Sequence, residues 1–63
     1  MDSLRSLFRG MLARDHNLVA WIGDIFIDEH GVTVTYVKVF KDGSIGYLES
    51  VYYMKSELEF LWQ

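Results

Sequence analysis

The chain contains no cysteine, which excludes disulfide staples and a thiolate zinc site alike. It has no long apolar run either. The longest, Leu18 to Ile22, is far too short to span a bilayer. The opening stretch MDSLRSLFRGMLARDHN offers no signal-peptide core, because Arg5 and Arg9 interrupt it. These absences fit a reducing, cytoplasmic setting and predict no membrane span. Positive charge is also scarce, with six Lys+Arg against nine Asp+Glu and a net of −3. The first 14 residues carry Arg5, Arg9 and Arg14 against Asp2, a net of +2, and the remainder carries a net of −5. The field of the whole chain therefore does not favour nucleic acid.

Catalytic signatures are missing too. None of the serines 3, 6, 44, 50 and 56 sits in a Gly-x-Ser-x-Gly context. No Gly-x-Gly-x-x-Gly or Walker pattern is present to cradle a phosphate. Asp24 and Asp28, on one strand, would stand about 13 Å apart at ~3.3 Å per residue, too far to share glycosidase-type work. Glu57 and Glu59 suit a helix N-terminus. Asp15-His16 and Asp28-Glu29-His30 have donors suited to a metal ion. The expected strand between them separates the two clusters by roughly 40 Å at ~3.3 Å per residue, and both read as solvated turns. The residues thus predict no catalytic, cofactor or metal site, and a protein that is not an enzyme.

What is abundant is apolar and aromatic surface, 51% and 16% of the chain. That composition favours folding over disorder, and 63 residues make one domain, 1–63. Leu4, Leu7, Phe8, Met11 and Leu12 recur at i, i+3, i+4, i+7 and i+8, the stripe of an amphipathic helix over residues 3–14. Asp2 or Ser3 is its expected cap, and Asp15-His16-Asn17 its polar exit. From Leu18 the chain turns β-branched and aromatic. Asp28-Glu29-His30-Gly31 reads as a four-residue hairpin loop in which Gly31 is free to adopt positive φ. VTVTYVKVF alternates as a strand. Lys41-Asp42-Gly43-Ser44 reads as a type I′ turn, pairing Phe40 with Ile45 and Val32 with Tyr53. Ser56-Glu57-Leu58-Glu59 matches a capping box, with Ser56 as cap and Glu59 reaching back. The fold expected is α+β: an N-terminal helix, a three-stranded antiparallel meander and a short C-terminal helix, with a fourth strand as the alternative to that last element.

In this register one sheet face carries Val19, Trp21, Ile25, Ile27, Val32, Val34, Tyr36, Phe40 and Ile45, under the N-terminal helix. The other carries Ala20, Ile22, Phe26, Val37, Val39, Leu48 and Tyr52, diluted by Asp24, Thr33, Thr35 and Ser50. That second face is too apolar to stand in water without a reason. Either the two helices take one face each, or a second protein chain covers it. The candidate interface residues are Ile22, Phe26, Val37, Val39, Leu48, Tyr52, Phe60 and Trp62, since large aromatics favour interface centres. The leading expectation is a non-enzymatic protein-interaction module, a homodimer that regulates or inhibits a larger partner. The alternative is a small nucleic-acid-binding domain, with Arg5, Arg9 and Arg14 touching anions and the sheet aromatics stacking on bases.

Overall fold

The computed structural model describes residues 2–61. Helix α1 (Asp2–His16) leads into strands β1 (Ala20–Ile27), β2 (Gly31–Val39) and β3 (Ile45–Met54), and a 3-10 helical segment (Lys55–Leu61), kinked at Leu58 where φ is −122°, follows. The strands form one antiparallel sheet in the order β1-β2-β3. The class is α+β, as the patterning indicates. The C-terminal segment is helical, not a fourth strand.

Helix α1 outlasts the apolar stripe by a turn and ends where Asn17 turns left-handed, at φ 54°. Asn is among the residues that tolerate this conformation, and its N–H donates to the Ala13 carbonyl at 3.1 Å. Ser3 lies inside the helix, not at its cap.

Both turns form where expected, but by different chemistry. Gly31 does not adopt positive φ. It is needed because a Cβ there would collide with the Tyr53 carbonyl oxygen and the Tyr52 ring. In the second turn only Gly43 is left-handed, at φ 89°, whereas a type I′ turn needs positive φ at both central residues. Gly43 N–H donates to the Phe40 carbonyl and Phe40 N–H to the Ser44 carbonyl, both at 2.9 Å. This is a three-residue loop closed by a glycine bulge. It pairs Ile45 with Val39 instead of Phe40, while Val32 and Tyr53 pair as expected.

A second irregularity lies in β1. Ile22 pairs with Tyr36 and Ile25 with Val34, so Gly23 and Asp24 form a bulge opposite Thr35. The Thr35 hydroxyl accepts the Asp24 N–H at 2.7 Å. Arg5, on α1, donates to the Gly23 carbonyl at 3.1 Å. The bulge shifts the pleat by one residue, and a one-residue slip exchanges the faces. Ala20 and Ile22 therefore turn inward and Trp21 outward, the reverse of simple alternation.

The core lies on one side of the sheet. Phe8 and Met11 of α1 pack with Val32, Val34, Tyr53 and Leu58, and Leu12 packs with Ala20 and Tyr36. The Phe8 and Tyr53 rings stack at 5.5 Å between centroids. Leu58 is fully buried in the same cluster as Phe8. Both helical segments thus cover the same face, not one face each. The capping box is shifted: Glu57, not Glu59, reaches back, and its Oε1 accepts the Met54 N–H at 3.4 Å.

Candidate functional site

With α1 and the 3-10 helix both on the inner side, the outer side of the sheet is covered by nothing in the chain's described residues. Register assigns its side chains. One row is Trp21–Val37–Leu48, the next Thr35–Ser50, the next Phe26–Thr33–Tyr52, with Val39–Ile45 at one end and Met54 at the other. Trp21 is 62% exposed, Phe26 57%, Leu48 70% and Tyr52 44%. Val37 and Val39 are half-buried by these larger neighbours. Outside the Gly23–Asp24 bulge, none of these outer positions carries a formal charge. The strand residues that do are Lys38 and Glu49, which pair at 3.4 Å on the opposite side of the pleat. The solvated face of an antiparallel sheet is ordinarily polar, whereas here Thr33, Thr35 and Ser50 stand among the larger Trp21, Phe26, Val37, Leu48 and Tyr52.

Of the expected interface residues, Phe26, Val37, Val39, Leu48 and Tyr52 share this outer face. Ile22 does not: the bulge packs it against the core. Phe60 is half-exposed on the 3-10 helix, away from the outer face, and Trp62 lies outside the described residues. Trp21 and Ile45 belong to the face, whereas simple alternation puts them on the other one. A glycine followed by aspartate inside an apolar strand is a bulge signal, and it would have placed Trp21 correctly.

The arginines expected to touch anions do not form a free strip. Arg5 is bonded to the sheet backbone. Arg14 pairs with Asp15 at 2.8 Å, and that hydrogen bond raises the guanidinium pKa and lowers that of the carboxyl. Arg9 is exposed. A shallow depression of about 240 Å³ lies between α1 and the β1 edge, lined by Leu4, Arg5, Asp24, Ile25 and Ile27.

The carboxylates of the turns serve the backbone. Asp28 Oδ1 accepts the N–H groups of His30 at 2.6 Å and Gly31 at 2.9 Å, and the Tyr52 hydroxyl at 3.4 Å. These bonds, the His30 N–H foremost, hold its pKa below the ordinary carboxylate value. Desolvation and then the Asp28 charge push the Tyr52 phenol up. Asp42 is lowered likewise by the Ser44 hydroxyl and N–H. Among the described residues no group of three or more His, Asp or Glu side chains is placed to hold a metal ion. None of their helices is long and apolar enough to cross a membrane.

Compared with models of protein families, with curated proteins and with solved structures, the chain matches none.

Proposed function

We propose that this protein is a non-enzymatic interaction module that docks a protein partner on the outer face of its sheet. The observation that carries the reading is an uncharged sheet face with Trp21, Phe26, Leu48 and Tyr52 exposed on it, while both helical segments pack on the other side. An apolar surface of this extent, facing water, is the usual mark of a contact site. Tyr and Trp supply large contact area at low entropy cost. Nucleic acid is the poorer partner, because phosphate recognition needs cations beside the aromatics and the face offers none.

Photo-crosslinking in the native host tests the reading. A photoreactive residue in place of Leu48 should give an adduct of protein mass, whether a second copy or another chain. The same residue in place of Arg9, on the exposed side of α1, should give little. Equal or absent adduct at Leu48 would rule out the outer face as a docking surface.

A further inference from the structure

Resting on that reading, we propose that the occupant of the outer face is a second copy of this chain, packed sheet against sheet. Three observations point to this partner and this geometry. The first is area. Taking about 200 Å² for a fully exposed large side chain, Trp21, Phe26, Ile45, Leu48, Tyr52 and Met54 at their observed exposures present on the order of 700 Å². A stable interface of standard size buries about 800 Å² per partner, and Val37 and Val39 supply much of the difference.

The second is charge. The chain carries a net of −3, so contact between the carboxylate-bearing surfaces of two copies is unfavourable. The outer strand positions avoid that penalty. They are uncharged outside the Gly23–Asp24 bulge, and the carboxylate that touches them is Asp28 in the hairpin loop, whose Oδ1 accepts the Tyr52 hydroxyl at 3.4 Å at the end of the face. A two-fold pairing requires a patch to complement itself, and a neutral face meets that condition without needing an opposite sign across the interface.

The third concerns the edges. In a three-stranded sheet both β1 and β3 are edge strands, which invites strand addition between copies instead. β1 is interrupted by the bulge between Ile22 and Ile25, and a bulge twists an edge away from continuous pairing. β3 is shifted near its start, opposite Val37 and Val39, and is regular from Leu48 to Met54. Strand addition through that edge would leave the apolar outer face in water, whereas stacking the faces covers it. Two such faces stack about 10 Å apart, with their side chains interdigitating as in a β-sandwich.

Sedimentation equilibrium of the full chain tests the proposal, with folding of each variant checked by circular dichroism. The wild type should be a dimer at micromolar concentration. Leu48→Glu and Phe26→Glu each place a charge in the interface and should weaken association roughly 100-fold or more. Arg9→Gln changes net charge by the same one unit on the far side of the molecule and should leave association unchanged. A monomer up to about a millimolar overturns the proposal, as does a dimer that both face variants leave intact. If the chain is monomeric and the crosslinker at Leu48 captures a different protein, the second copy is refuted and the docking face stands. If that crosslinker also captures nothing, both fail.

Discussion

Leu58 is the residue whose removal says most about how this small fold is held. It sits in the 3-10 helix, fully buried against Phe8, Met11, Val32, Val34 and Tyr53, yet only a few residues from the end of the chain. Leu58→Ala removes buried carbons and leaves a cavity, at a cost of about 3 kcal/mol where the surroundings relax only in part. A chain of this size is stable by roughly 0.05–0.15 kcal/mol per residue, or about 3–9 kcal/mol in all. The substitution therefore consumes a third of the stability or more. For a domain this small each kcal/mol moves Tm by about 4–8 °C, which gives a fall of roughly 12–24 °C. Phe60, two residues on and half-exposed, should cost about 1 kcal/mol or less when truncated to Ala. Urea titrations at one fixed protein concentration read both variants; the concentration is fixed because association adds to apparent stability. Equal midpoints for Leu58→Ala and Phe60→Ala would refute the idea that the 3-10 helix is part of the core.

Other outcomes follow from the local chemistry. Gly10→Ala, at an exposed helix position with open space around it, should stabilise by about 1 kcal/mol, while Gly31→Ala should unfold much of the population or shift the β2–β3 register; thermal melts separate the two. Thr35→Val deletes the hydroxyl that accepts the Asp24 N–H and should cost about 1 kcal/mol, with Thr35→Ser costing less than half of that in the same denaturation assay. Asp28 has its pKa lowered in the folded state, so the unfolded chain takes up its proton first as pH falls. Its contribution is complete above the ordinary carboxylate pKa of about 3.9 and is lost as pH drops through the folded value; Asp28→Asn should flatten that acid limb in melts recorded between pH 5 and 2, by about these same limits.

The elements were legible because each local signal agreed with the global fold. The stripe from Leu4 to Leu12 defined α1, and the Asp28–Gly31 loop fixed the pairing of Ile27 with Val32. Two features were not legible by alternation. Asp42-Gly43 suits a two-residue turn and a bulged three-residue loop equally, and only the backbone hydrogen bonds of Phe40 distinguish them. The bulge at Gly23–Asp24 depends on the hydroxyl of Thr35, a residue distant in sequence and brought opposite by the hairpin. That single inserted residue moved Ile22 into the core and Trp21 out of it. Most of the candidate face, from Phe26 to Tyr52, could be read from the sequence because it lies on the regular side of both bulges. The side on which the C-terminal segment packs could not, since Leu58 is apolar enough for either face.

The most direct test of a covered outer face is the accessibility of Trp21 itself. In a Trp62→Phe background Trp21 is the one remaining indole, and its emission reports the β1 side of the face. At nanomolar concentration it should be quenched readily by acrylamide and emit as a largely exposed indole. At concentrations above the dimer midpoint, emission should shift to the blue and quenching should fall several-fold, with Leu48→Glu abolishing the change. Quenching that stays the same across the whole concentration range would contradict the account.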